Sequence, residues 1–276
     1  MPGDLLGEHL RHLKRRNLRP STIEQRRRAL RRLARAMDPE TATTEAIEDW
    51  LDARDLTAGG RATEISHLRG FYRWAVAEGR LEHDPTIKLV RPKEPRRLPR
   101  PIPEGDLAMA VELAPPAIRA MLMLAAFAGL RAIEIAGLCG EHVHLDRGVL
   151  LVGEGKGGGM SSVPIAPSLV PVLRDLPESG PCFRLSDGRQ MRPHNVSHLC
   201  NQYLHGLGIE HTLHSLRHRF GTQAYIATDR DLRATQELLR HRTPVSTAIY
   251  TWVDPGRLGE AVKRLPVVGQ QERLPW

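Results

Sequence analysis

The chain has 276 residues, 41% of them hydrophobic, and carries a formal net charge of +8 from 40 Lys and Arg against 32 Asp and Glu. That is core enough for one large domain or two ordinary ones, and basic enough to favour a polyanionic partner, either nucleic acid or an anionic membrane. Cys139, Cys182 and Cys200 make neither a disulfide framework nor a metal spacing, and no signal peptide is seen, so a reduced, cytoplasmic protein is expected.

Four helices are predicted in the first 80 residues. "DLLGEHLRHLKRR" sets Leu5, Leu6, Leu10 and Leu13 on one side, and "STIEQRRRALRRLARAM" opens on a Ser21/Glu24 capping box before turning Ile23, Leu30, Leu33 and Met37 inward. "TTEAIEDWLDAR" starts at a threonine cap and buries Ile47, Trp50 and Leu51. "RATEISHLRGFYRWAVAEG" buries Ile65, Leu68, Phe71, Tyr72, Ala75 and Val76 and stops at Gly79. Residues 1–100 hold 22 of the 40 basic residues against 15 acidic ones, a net +7, while the remainder is +1. Arg26, Arg27, Arg28, Arg31, Arg32, Arg69 and Arg73 are left outside, where a phosphate-binding face competes with an ordinary solvated one.

Residues 84–106, "DPTIKLVRPKEPRRLPRPIPEGD", carry six prolines and six Lys or Arg. That composition describes a stiff, extended, basic connector of the kind a protein wrapping a duplex would need. Beyond it helices are predicted at 104–113, 116–129, 131–138, 168–175, 193–206, 214–227, 231–239, 245–251 and 256–264. Two strands, 148–152 and 161–165, flank the glycine-rich "GEGKGGGM". "MLMLAAFAGL" is too short to span a bilayer and reads as a buried helix, so no membrane role is expected. The expected fold is mainly α with a small β-hairpin or sheet. A helical domain (1–90) is joined by a basic, proline-rich linker (91–103) to a mostly helical domain with a C-terminal tail (104–276).

Chemistry concentrates in the second domain. In "HTLHSLRHRFGTQAY" helical spacing sets His214, Arg217 and His218 side by side, either as a solvated basic face or as a cluster that holds an anion. Arg131, just past a buried helix, needs a partner: Glu134 one turn on, or a bound oxyanion. Lysine is scarce, five against 35 arginines, so Lys156 on the hairpin tip points to a task arginine cannot perform, such as giving up a proton. Its loop lacks the Walker spacing of a nucleotide-binding loop. "CGEHVHL" offers Cys139, His142 and His144 but too few ligands for a metal. "LLRHRTPVSTAIYTWV" adds His241 and Tyr250. Two guanidiniums for non-bridging phosphate oxygens, imidazole donors, an ammonium acid and a phenolic nucleophile are the parts of phosphodiester strand transfer.

In this order (Arg131, Lys156, His214-x-x-Arg217, His241, Tyr250) the set resembles the tyrosine recombinase, or phage integrase, family, Xer-type recombinases included. "GLRAIEI", "GKGG", "HSLRHRFGT" and "LLRHRTPVSTAIYTWV" look like its boxes, and "STIEQRRRALRRL" with "LRGFYRWAVAEGRLEHDPT" looks like its core-site-binding domain. The resemblance implies a two-domain clamp on double-stranded DNA. Arg131 and Arg217 would clamp the scissile phosphate, with His214 and His241 in support. Lys156 would protonate the leaving 5′ oxygen, Tyr250 would form a 3′-phosphotyrosine, and His218 would support the fold. It further implies a tetramer on two DNA sites, accessory DNA-bending or directionality factors as candidate partners, and a tail after Tyr250 that packs on a neighbouring protomer. No cofactor or metal is needed, because the phosphotyrosine conserves the bond energy. Integration or excision of phage or mobile-element DNA is the leading task. Xer-type chromosome dimer resolution, topoisomerase IB-like relaxation and DNA binding through an inactive site are the alternatives. Arg240 departs from the family, replacing the glycine usual before the second histidine, and 157–160 lack a second basic residue.

Overall fold

The computed structural model describes residues 4–93, 100–153, 159–241, 243–248 and 250. The hairpin tip with Lys156, the linker centre and the tail with its predicted 256–264 helix lie outside the described residues. The chain divides into two compact units, Met1–Arg97 and Leu98–Trp276.

The first unit holds α1 (Leu5–Arg15), α2 (Pro20–Ala36), α3 (Thr44–Asp52) and α4 (Ala58–Ala77). Leu30 and Leu33 of α2, Ile47 and Leu51 of α3, and Ile65, Leu68, Phe71 and Tyr72 of α4 meet in one core. Thr43 caps α3, accepting the Ala46 N–H at 3.2 Å, and Gly79 ends α4 at φ +66°. The expected capping box on α2 does not form. Pro20 opens the helix, Arg19 is its cap residue, and Glu24 pairs with Arg27 and Arg28 instead.

Two of the arginines predicted to face outward have structural duties. The Glu64 carboxylate, 5% exposed, accepts from Arg32 at 2.7 Å and from Arg54 at 2.9 Å. Burial alone would raise its pKa, but the two guanidiniums outweigh burial and hold it below the usual range. Arg69 donates to the carbonyls of Thr86 and Leu89, at 3.3 and 2.5 Å. This explains why the start of the predicted connector is docked: Thr86 and Leu89 are buried against α4, and Thr44 donates to the Pro85 carbonyl at 2.7 Å. Arg31 and Arg73 remain exposed, with no carboxylate partner among the described residues.

His9 is buried among rings, its centroid 5.3 Å from Phe71 and 4.8 Å from Trp74, and neither ring nitrogen has a partner among the described residues. Burial, then the charges of Arg26 and His12, push its pKa from 6.5 to about 4. Between those values the unfolded chain binds the extra proton, so stability is full above pH 6.5 and falls as pH drops toward 4. The expected loss is about 3 kcal/mol. Urea unfolding of wild type and His9→Leu at pH 4.5 and 7.5 checks this, since the leucine variant should lose much less on acidification.

The second unit holds α5 (Glu104–Leu113), α6 (Pro116–Phe127), α7 (Ala132–Ala136), α8 (Val170–Arg174), α9 (Pro193–Gly206), α10 (Leu213–Ala227) and α11 (Leu232–Leu238). The predicted hairpin gains a two-residue edge strand, giving an antiparallel sheet in the order β1 (Val143–His144), β2 (Val149–Gly153), β3 (Met160–Pro164). In register, Leu150 faces both Val143 and Val163. The apolar run 120–126 of α6 is wholly buried, with α5, α8, α9 and α10 packed around it. At its end Gly129 takes φ +59° directly under the Phe220 ring, where no side chain fits. The predicted helix at 245–251 is a 3-10 turn at Pro244–Ser246, continued by a bond from the Tyr250 N–H to the Thr247 carbonyl at 3.0 Å. Proline at its start and β-branched neighbours favour that tighter winding. The ring of His142 accepts the Cys139 N–H at 3.2 Å, which gives this nitrogen a local capping role. Among the described residues no helix is long and apolar enough to cross a membrane.

Candidate active site

Helix α10 turns Leu213, Leu216, Arg217, Gly221 and Ala224 into the unit. Arg217 is therefore not on a solvated basic face but 2% exposed, in the middle of the buried one. A guanidinium there must be satisfied by fixed acceptors. One Nη donates to the Gly129 carbonyl, freed by the end of α6, and the other to the Leu239 carbonyl at 2.5 Å, just past α11. Burial and then Arg131 weaken its hold on the proton, yet its starting basicity keeps it charged at neutral pH.

Arg131 caps α7, and Glu134 reaches back to its N–H at 2.7 Å. The same carboxylate accepts Arg131 Nη1 at 2.6 Å and Arg240 Nη2 at 3.0 Å, and lies 3.9 Å from Arg217 Nη1. Three guanidiniums thus face one carboxylate, leaving a local charge of +2. The side chain of Arg131 is 36% exposed, those of Arg217 and Arg240 3% and 6%, so an incoming ligand meets Arg131 first. Arg131 also touches the carbonyls of Leu239 and Arg240, at 3.4 and 3.3 Å. The two partners expected for Arg131 are compatible: it pairs with Glu134 and still presents an open side.

Tyr250 lies on the turn after α11, 2% exposed, with its ring seated on α10. The seat exists because position 221 is glycine; an added Cβ would stand 2.7 Å from the Tyr250 Oη and closer still to the ring. The hydroxyl is 3.2 Å from His218 Nδ1, so His218, expected only to support the fold, touches the tyrosine oxygen. His241 stacks parallel to Tyr250 at 6.5 Å, and its Nδ1 pairs with the Thr247 hydroxyl at 2.9 Å. Burial raises the phenol pKa, opposed by Arg217 and Arg131. Burial first, then neighbouring positive charge, takes His241 to about 4; burial, then His214, does the same to His218, so both rings are neutral near pH 7. His214 sits at the exposed rim, 4.4 Å from the His218 ring.

Arg131, His214, Arg217, His241 and Tyr250 thus gather around α10, and Lys156 lies outside the described residues. Sequence reasoning missed the contacts of Arg240 and His218 and the role of Gly221. A mid-helix glycine, costing about 1 kcal/mol against alanine, was the one signal for the last. Gly221→Ala is expected to raise intrinsic helix stability yet expel the Tyr250 ring. Tyrosine fluorescence and accessibility to nitration should both rise in the variant, and an unchanged nitration rate at Tyr250 would contradict this seating.

Both halves of the chain match known protein families. The phage integrase family model matches residues 107–257, and that of the phage integrase N-terminal SAM-like domain matches residues 6–79. Tyrosine recombinase XerC of Pseudomonas aeruginosa is 30% identical over 293 aligned positions, spanning 95% of this chain and 93% of that protein. The integrase of mycobacterium phage Brujita is 32% identical, covering 95% of this chain and 92% of that one, with a TM-score of 0.50. A lambda integrase tetramer bound to a Holliday junction shares the fold at a TM-score of 0.72 and 19% identity, over 87% of this chain and 77% of that one. The chain belongs to the phage integrase family. It is a tyrosine recombinase, an enzyme of site-specific recombination that cleaves and rejoins DNA strands.

Proposed function

We propose that this recombinase acts on double-stranded DNA as a tetramer joining two sites, and that its task is integration or excision of mobile DNA. The observation that carries the residue roles is the gathering of Arg131, Arg217, His241 and Tyr250 around α10. Arg131 and Arg217 bind the non-bridging oxygens of the scissile phosphate, whose charge the +2 cluster is built to receive. The Tyr250 oxygen attacks phosphorus, the new O–P bond forms as the bond to the 5′ oxygen breaks, and Lys156 protonates that oxygen. His218 Nδ1 is the nearest acceptor for the phenolic proton; a phosphate anion beside the ring raises its proton affinity as the reaction begins. With Nδ1 facing the Thr247 hydroxyl, His241 is free to donate from Nε2 to the phosphate, and His214 assists from the rim.

Multimeric assembly is supported by the lambda integrase tetramer, and the mobile-DNA task by the phage Brujita integrase. Likeness to XerC over nearly the whole chain favours chromosome dimer resolution as the second reading. The test is covalent capture. The full chain is incubated with a random-sequence duplex library carrying nicks, protein–DNA adducts are recovered under denaturing conditions, and both DNA end and peptide are identified. A 3′ adduct on the Tyr250 peptide with an enriched sequence is expected. An adduct on another residue would overturn the assignment, and supercoil relaxation without sequence enrichment would favour a topoisomerase.

A further inference from the structure

Arg240 occupies a backbone position made for glycine. Helix α11 ends in a Schellman turn, in which the His241 N–H bonds the Gln236 carbonyl at 3.0 Å and the Arg240 N–H bonds the Glu237 carbonyl at 2.9 Å. The turn forces Arg240 to φ +52°, the left-handed region that strains any side-chain-bearing residue. Such strain persists where the surroundings over-determine it.

What holds Arg240 there is its side chain. It is buried, and it donates to the Leu238 carbonyl at 2.9 Å, the Gly129 carbonyl at 3.0 Å and Glu134 Oε2 at 3.0 Å. Two of those acceptors belong to the phosphate clamp. Gly129 also takes Arg217, and Glu134 also takes Arg131. The Oε2 that Arg240 holds is 3.9 Å from Arg217 Nη1, short of a hydrogen bond. Remove the Arg240 guanidinium, and that oxygen keeps only the Arg131 N–H, with Arg217 the adjacent guanidinium not yet bonded to the carboxylate.

We infer that Arg240 is a positioning residue of the clamp, a third guanidinium that occupies Glu134 so that Arg217 stays directed at the scissile phosphate. It does not touch the phosphate. It keeps the carboxylate from neutralising Arg217 and holds the cluster at +2 where a glycine would leave +1. The inference rests on the reading of Arg131 and Arg217 as the phosphate clamp.

The test measures binding of inorganic phosphate to the full chain by NMR titration, with sodium chloride at matched ionic strength as control. Arg240→Lys and Arg240→Met share the backbone strain and nearly the same length, so the difference between them isolates charge. Arg240→Lys is expected to bind phosphate within about threefold of wild type, and Arg240→Met about tenfold more weakly, the order expected when one nearby charge is lost from a partly screened site. Arg240→Gly relieves the backbone, and should melt near the wild-type temperature while binding phosphate as poorly as the methionine variant. His241 gives an independent readout: its imidazole titration should move up in the methionine variant and stay in place in the lysine variant. Equal phosphate affinity in the lysine and methionine variants would overturn the inference. Arg131→Ala separates the two levels. If it too binds phosphate normally, the clamp itself is misplaced; if it alone is weakened, the clamp stands and only the role of Arg240 falls.

Discussion

Tyr250→Phe is expected to reduce covalent DNA capture to background while DNA binding stays within about twofold of wild type. The ring's seat against Gly221 and its stacking on His241 need no hydroxyl, so phenylalanine fills the same space. What disappears is the hydrogen bond to His218 at 3.2 Å, a net contribution of about 1 kcal/mol to stability. The oxygen proposed as nucleophile goes with it, and without that oxygen no phosphotyrosine can form at this residue. Denaturing gels of trapped adducts, run beside mobility-shift titrations, check both halves. An adduct formed by the phenylalanine variant would remove Tyr250 from the chemistry, and loss of binding would mean that the hydroxyl has a structural task.

Glu134→Gln is expected to cost the second unit about 3–5 kcal/mol, the range for breaking a buried ion pair by removing one partner. One carboxylate, 7% exposed at its side chain, faces Arg131, Arg217 and Arg240, and an amide leaves all three without a countercharge. For a unit of this size that is a fall in melting temperature of roughly 10 °C. Phosphate should restore part of the loss, and should stabilise the variant more than the wild type, because an anion in the clamp takes over the missing charge. The pH dependence has a definite sign. Burial would raise the Glu134 pKa, but Arg240 and Arg131 hold it below 4.5. Its contribution is therefore complete above pH 4.5 and fades as pH falls through the lower folded value. Calorimetry of both proteins with and without phosphate is the measurement. Equal melting temperatures would show that Glu134 is not the counterion of the cluster.

Much of the fold was legible because its helices bury regular stripes. Ile65, Leu68, Phe71, Tyr72 and Ala75 recur at helical spacing, and a threonine cap and a terminal glycine bracket α3 and α4 as expected. The features that escaped notice depend on partners distant in sequence. The Ser21/Glu24 box is a local pattern, but Pro20 moved the cap two residues upstream, from Ser21 to Arg19, and basic neighbours took the glutamate. Arg32 and Arg69 look like surface charges until Glu64 and the carbonyls of Thr86 and Leu89 are brought beside them. Order and type mark Arg131, His214, Arg217, His241 and Tyr250, which the structure brings together, while Lys156 lies outside the described residues. Their supports were not legible: the acceptors of Arg217 are backbone carbonyls at Gly129 and Leu239, which leave no mark on residue identity. His218 was misjudged for a related reason, since helical spacing places it beside Arg217 but says nothing of a ring arriving from the turn at Tyr250.

The carbonyl of Leu239 receives both Arg217 and Arg131, and it belongs to the segment that runs on to Tyr250. If the proposed clamp holds phosphate, its affinity and the docking of Tyr250 are coupled through that carbonyl. By reciprocity, whatever factor phosphate adds to docking of that segment, docking adds to phosphate affinity. On that reading, drawing the tyrosine away would loosen the grip on the strand, and a gripped strand would favour the docked tyrosine. The residue proposed as nucleophile would then also act as an effector of the site it serves.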